Sequence, residues 1–362
     1  MNYRQAIDDG QISSLQIGVI IVCFILNILD GFDVVAISYA APSISDDWNV
    51  DAQTLGVIFS AGLVGMTLGA MFLAPVTDVI GRRKMILIAL AINAVSLAAT
   101  LIAANVWHLI AARLLTGLSV GSILASLTAL VAEYTPARRR NFSIGLLQCG
   151  YPIGATGGGF IAAALIPVHG WQSIFLAGLV ITLSMIPIVF FALPESLDFL
   201  SNSRPKQALE TMNRTLQRMG LSRLEQFEPH KPGNIAKASV RSLLTERHRA
   251  PTLFLWLAFF MCFFTLYFLL SWIPKILVEA GFSMEQGIDA GIAFNAGAIL
   301  GVLALGYLAD KKGIRELIAI FLIIGGAFMI GFGLAPTEII ILIMLSFLIG
   351  SFVDGGFAGL YA

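Results

Sequence analysis

Apolar residues in this chain come in long unbroken runs. They show neither the three-and-four spacing of a soluble amphipathic helix nor the alternation of a half-buried strand. A helix needs about 20 mostly apolar residues to cross the hydrocarbon of a bilayer. Runs of that kind occupy 15–40, 53–75, 85–104, 107–131, 142–166, 171–193, 251–278, 288–309, 315–334 and 337–362. Their connections are short except for 194–250. The pattern therefore predicts an all-α membrane protein with a six-helix bundle at 1–193, a linker loop at 194–250 and a second bundle of four spans at 251–362. Inside the loop a solvated amphipathic helix is predicted from about Arg204 to Met219, with Ser203 as its N-cap and Gly220 as its terminator.

The positions of Lys and Arg orient these spans. Arg113 lies inside the fourth span and Lys275 near the far end of the seventh. The others gather on one side, at Arg4, Arg82 to Lys84, Arg138 to Arg140, the long loop, and Lys311, Lys312 and Arg315. The opposite connections carry Asp46, Asp47, Asp51, Glu285 and Asp289. The N-terminus and the long loop are expected on the cytoplasmic side.

Composition agrees with a bilayer. Hydrophobic residues make up 57% of the chain and charged ones 12%, about half the charged share of a soluble domain. The net charge of zero hides the sidedness just described and gives no footing for nucleic acid. Cys23, Cys149 and Cys262 stand far apart in apolar runs and read as small buried hydrophobes rather than a disulfide or metal set. The first fifteen residues lack the basic start of a signal peptide.

The chain repeats itself. Gly65, Gly69, Asp78, Gly81 and Arg83 recur at identical spacing as Gly297, Gly301, Asp310, Gly313 and Arg315. The second span thus corresponds to the eighth, in parallel topology, and both lead into a short basic turn. The repeat predicts counterparts of the fifth and sixth spans beyond Ala362. A C-terminally truncated chain with ten of twelve spans is the expectation, against a protein built from ten spans or a fragment that does not transport.

An ionisable group inside a span costs several kcal/mol and reads as functional. Asp30 and Asp33 are three apart on one helix face with Asn27 on the same stripe. At about 1.5 Å per residue, Asp33 lies roughly 10 Å below the outer end of the first span, and Arg113 about 9 Å below the start of the fourth. The two charges are predicted to share a level. A guanidinium offers a planar fork to a carboxylate, so Arg113, with Asn27 beside it, is expected to bind a substrate anion. Asp30 and Asp33 are expected to carry a coupling proton. A static ion pair that fixes helix packing is the competing reading. Asp354 lies deep in the tenth span. A phosphate loop, a metal-binding His-Glu spacing and a nucleophile elbow are all missing, so the chain does not read as an enzyme. No metal and no cofactor are expected.

The run Asp78-Val79-Ile80-Gly81-Arg82-Arg83-Lys84 resembles the loop signature of the major facilitator superfamily. Arg113 with Thr116-Gly117, Glu133-Tyr134-Thr135-Pro136 with Arg138-Arg139, and Pro194-Glu195-Ser196 are similar to its further signatures. Asp30-Gly31-Phe32-Asp33, followed by Ala41-Pro42-Ser43 at the span end, resembles the aromatic acid:proton symporters within it. The resemblance implies two six-helix bundles around a cavity lined by the first and fourth spans. It implies a carrier of benzoate-like or hydroxybenzoate-like acids driven by the proton gradient, acting as a monomer in a bacterial inner membrane. It also implies that Asp78, Gly81, Arg82, Arg83, Glu133, Asp310 and Arg315 form a cytoplasmic gate. Ala74 stands where the family usually has glycine, and the second copy, Gly313-Ile314-Arg315, lacks the double arginine. Carriers of another small organic acid or of a sugar are the alternatives.

Overall fold

The computed structural model describes residues 3–227, 245, 249–309, 313–335 and 338–360. Regular structure among them is helical throughout. In lipid each main-chain polar group must find its partner within its own segment, and unbroken apolar runs leave the helix as the way to do it. Ten helices among the described residues are long and apolar enough to cross a membrane. The chain divides into two compact units, Met1–Glu228 and Pro229–Ala362.

The first unit opens with a short helix α1 (Tyr3–Asp9), followed by α2 (Ser14–Trp48), α3 (Ala52–Leu68), α4 (Thr77–Ile80), α5 (Arg82–Leu101), α6 (Val106–Tyr134), α7 (Ala137–His169) and α8 (Gln172–Ala192). Two short helices, α9 (Leu197–Ser203) and α10 (Ala208–Arg218), close it. Helix α2 packs on α6, α7 and α8, α3 on α6, and α5 on α6 and α8. The first span runs past its expected end, through Pro42 to Trp48. Proline removes one helical hydrogen bond, but Ala41, Pro42, Ile44 and Ser45 are buried in the unit, and tertiary packing carries the helix on. The second span breaks instead. After Leu68 the ladder widens into a π turn at Gly69–Leu73 and tightens into a 3-10 turn at Ala74–Val76. Pro75 lacks an N–H and crowds the carbonyl one turn back, so the helix changes register around it.

The linker segment also departs from its sequence reading. Ser203 does not cap a helix that starts at Arg204. It ends α9, and its hydroxyl donates to the Asp78 carbonyl at 3.0 Å. Helix α10 begins at Ala208 after Gln207, whose φ is 65°, and Gly220 at φ 77° stops the chain direction just beyond it. Leu197, Leu200, Met212 and Leu216 join one core with Ile7, Leu15 and Val19. Residues 194–227 are therefore part of the first unit and not a solvated tether. The reason is apolar surface on one face of each short helix, which packs against the span ends.

The second unit contains α11 (Arg249–Glu279), α12 (Met284–Ala309), α13 (Ile314–Leu334) and α14 (Ile339–Gly359). Helix α12 packs on α14 and α11, and α13 on α14. The repeat shows in this packing. Gly65 of α3 and Gly69 of the π turn after it press on the Leu114 and Leu118 carbonyls of α6, where an added Cβ would collide. Gly297 and Gly301 of α12 press in the same way on Phe347 and Ser351 of α14. Second span on fourth is matched by eighth span on tenth, with the same small residues allowing close approach. Each unit exposes large apolar side chains, such as Phe191 in the first and Phe254, Ile323 and Leu334 in the second, as suits helices that meet lipid.

Candidate functional site

Midway along α2, Asn27, Asp30 and Asp33 are all buried. Asn27 is 0% exposed, and its Nδ2 donates to the Leu147 carbonyl of α7 at 2.6 Å. It thus ties two helices together, while its Oδ1 has no partner. Asp30 Oδ2 is likewise buried without a partner. Asp33 is 1% exposed and Arg113 3%, and the two come together as their levels predicted.

Their contact is not a side-chain ion pair. Arg113 Nη1 reaches the main-chain oxygen of Asp33 at 3.5 Å, and among the described residues no salt bridge within 4.0 Å joins the two side chains. The Asp33 carboxylate turns instead to α5, where Asn93 Nδ2 donates to its Oδ2 at 2.5 Å. Asn93 Nδ2 also lies 3.2 Å from Thr182 Oγ1 of α8. The Arg113 guanidinium lies over the Phe175 ring, 5.0 Å from its centroid, an arrangement that favours a cation on a π face. Behind it Phe175 meets Trp171 edge-on at 5.9 Å, and Trp171 meets Trp48 at 5.4 Å. Arg113 Nε and Nη2 and Asp33 Oδ1 have no hydrogen-bond partner. A buried guanidinium with open donors, next to carboxylates with open acceptors, is poised for an added anion and an added proton. Asn93, Thr182 and Phe175 escaped the sequence reading. A polar Asn in the middle of the third apolar run was the available signal.

The second cluster lies at the basic end of the same unit. Gly81 has φ 101°, which lets α5 start directly against the chain at Glu195. The Glu195 carboxylate accepts from the main-chain N–H of Arg83 at 3.0 Å and of Ser196 at 2.9 Å. Arg82 forms an ion pair with Glu133 and donates to Ser196 Oγ at 3.4 Å. Ser196 Oγ donates in turn to Glu133 at 2.8 Å. Arg83 donates to the Phe190 carbonyl and lies 5.3 Å from that ring's centroid. Gly81, Arg82, Arg83 and Glu133 are thus in one network, and Glu195 and Ser196 are its unforeseen members. Asp78 is exposed and forms no ion pair among the described residues. Arg315 is exposed in the first turn of α13, also without an ion pair among the described residues. Asp310 lies outside the described residues.

The last carbonyls of α6, which a helix leaves unpaired, are met from three directions. Arg4 of α1 donates to Ala132 and Glu133, each at 3.2 Å. Gln16 of α2 donates to Tyr134 at 2.7 Å, and Arg140 of α7 donates to Ala132 at 3.1 Å. Cations here also oppose the negative end of the helix dipole. Arg140 pairs with Asp8, and Tyr3 donates to Asp198 of α9 at 2.9 Å. Together these bonds lock α1 to the span ends and to α9.

Apolar spans in repeated units, with an arginine and aspartates buried among them, are the construction of a multi-pass membrane carrier and not of an enzyme. The chain belongs to the Major Facilitator Superfamily, whose family model matches residues 23–362. It is 33% identical over 346 residues to a gallate transporter of Pseudomonas putida, covering 95% of this chain and 77% of that one. It is 30% identical to the 4-hydroxybenzoate transporter PcaK of Pseudomonas putida, covering 98% and 80%. Among solved structures, the xylose transporter XylE from E. coli in a partially occluded inward-open conformation matches with a TM-score of 0.71. At 19% identity, over 96% of this chain and 84% of that one, this last likeness concerns the fold alone.

Proposed function

We propose that the protein imports an aromatic carboxylate, of the benzoate or hydroxybenzoate kind, by proton symport with alternating access. The observation that carries this reading is the buried Arg113, with Nε and Nη2 unfilled, beside the Asp33 main chain. A guanidinium with open N–H groups grips a carboxylate in two-point fashion. Such a fork suits an anion better than a neutral sugar. The kinship with gallate and 4-hydroxybenzoate transporters supports an aromatic ring on that carboxylate.

Asp33 and Asp30 take the proton. Neutralising Asp33 removes a negative charge next to the place where the substrate anion must sit, so each ligand favours the other. Because Arg113 holds the Asp33 main chain and not its carboxylate, the effect runs through the field and breaks no side-chain ion pair. The network of Arg82, Glu133, Glu195 and Ser196 acts as a cytoplasmic gate, in which the family resemblance also places Asp78, Asp310 and Arg315. The basic end faces the cytoplasm of a bacterial cell, and the chain works as a monomer in the inner membrane, driven by the proton gradient without a cofactor.

The test is uptake of labelled 4-hydroxybenzoate and gallate by cells making the protein, with and without a protonophore. Protonophore-sensitive accumulation that Asp33→Asn abolishes, while substrate counterflow persists, is the expected result. Accumulation by Asp33→Asn equal to the parent's would sink the coupling role. Uptake insensitive to the protonophore would sink proton symport.

A further inference from the structure

Asp33 does not meet its proton alone. Its carboxylate, the Asn93 amide and the Thr182 hydroxyl form a buried row across three helices, α2, α5 and α8, with Asn93 in the middle. Asn93 Nδ2 bonds Asp33 Oδ2 at 2.5 Å and Thr182 Oγ1 at 3.2 Å. The three are 1%, 3% and 0% exposed. Asn93 Oδ1 is buried with no hydrogen-bond partner, and so is Asp33 Oδ1. Arg113 is the charged group facing Asp33 from α6, and Asp30 lies one turn back on α2. From α8, Gly178 approaches closely enough that an added Cβ would stand 3.3 Å from Asp33 Oδ1.

A side-chain amide carries a donor and an acceptor on two ends of nearly equal size. With nitrogen toward Asp33, it donates to a charged carboxylate, and Thr182 accepts through its lone pair. Half a turn about the terminal torsion puts oxygen in the same place. That oxygen accepts from the O–H of a neutral acid and from the Thr182 hydroxyl, which rotates to donate. The heavy atoms keep their positions in both states. The only change of composition is one proton, which arrives on Asp33 Oδ2 from water on one side of the membrane and leaves to water on the other.

We propose that Asn93 is the positioning residue of proton coupling: by reversing its amide it holds the Asp33 carboxyl against α5, clear of the Arg113 fork, whether the proton is present or absent. This rests on Asp33 being the proton carrier. The orphan Asn93 Oδ1 has its use in the state with the proton bound, and Thr182 is the hydroxyl that must turn with it. A carboxyl freed from Asn93 can swing to Arg113 and close the donors that the substrate needs.

The experiment compares parent, Asp33→Asn, Asn93→Leu, Asn93→Asp and Thr182→Val, each full-length and matched for amount in the membrane. Protonophore-sensitive accumulation of labelled 4-hydroxybenzoate is measured against counterflow of the same compound. Asn93→Leu is expected to lose accumulation about 10- to 100-fold, the range for one hydrogen bond to a charged group, and to lose counterflow far less. Asn93→Asp keeps the shape but cannot donate while charged, so its accumulation relative to the parent recovers as the outside is acidified, whereas that of Asn93→Leu does not. Thr182→Val falls between Asn93→Leu and the parent. Equal losses of accumulation and counterflow in Asn93→Leu, or an Asn93→Asp that tracks Asn93→Leu at every pH, would overturn the proposal. If the parent is protonophore-sensitive and Asp33→Asn is uncoupled while Asn93→Leu behaves as the parent, the Asn93 proposal alone falls. If the parent is not protonophore-sensitive, proton symport falls and this inference with it.

Discussion

Gly81→Ala tests the network at the basic end most directly. At φ 101° the backbone is in a region that residues with a side chain rarely adopt, at a cost of about 1–3 kcal/mol. The new methyl would also stand 2.7 Å from Glu195 Cδ, so the carboxylate has to leave. Its bonds to the main-chain N–H groups of Arg83 and Ser196, at 3.0 and 2.9 Å, go with it. Hydrogen bonds to a charged acceptor are worth about 1.5–3 kcal/mol each, and water recovers part of that at this half-open site. A total loss of roughly 3–5 kcal/mol follows. The measurement is the denaturation midpoint of the purified protein in detergent, for Gly81→Ala, Glu195→Ala and the pair. In the double variant the clash is gone, so the second substitution should add only the backbone strain, about 1–3 kcal/mol. A Gly81→Ala protein within about 0.5 kcal/mol of the parent, the usual scatter of neutral surface changes, would refute the argument. Strict additivity of the two changes would refute the contact between them.

Arg113→Lys keeps the charge but loses the fork, so KM for 4-hydroxybenzoate should rise about 10- to 100-fold, the worth of one charge-assisted bond; an unchanged KM would remove Arg113 from the binding site. Burial and the neighbouring Asp198 carboxylate push the Tyr3 phenol from 10.0 up to about 12. The neutral form is the docked form, so its contribution to holding α1 is complete below pH 10.0 and is lost as the pH rises through about 12. Phenolate absorbance and protease sensitivity of α1 should rise together across that window, and ionisation of Tyr3 near its ordinary value would show that α1 is not docked this way.

The spans were legible because a bilayer demands one simple thing of sequence, length without charge, and the repeat was legible because the same glycines meet the same kind of helix in both units. The meeting of Asp33 and Arg113 could be read from depth alone. Its form could not, since the choice between a carboxylate and a main-chain oxygen depends on Asn93, sixty positions away on a helix whose rotation no local period encodes. The extension of α2 through Pro42 and the docking of α9 and α10 were missed for a related reason. Proline and a polar loop are local stop signals, and burial against distant helices outweighs them. Glu195 was seen as part of a signature, but its role at Gly81 appears only when the chain folds back on the start of α5.

The three-way closure of the α6 terminus has a meaning in time. Arg4 leaves the ribosome 129 residues ahead of Glu133, whose carbonyl it will hold. At about 5–20 residues per second, synthesis of that stretch takes on the order of ten seconds. Over that interval the first helix exists without its dock, and Arg140, which completes the closure, emerges last. The first helix is therefore made well before its dock, and it stays open during synthesis to whatever factors handle nascent membrane chains until the end of the fourth span, Arg140 and Asp198 have all emerged.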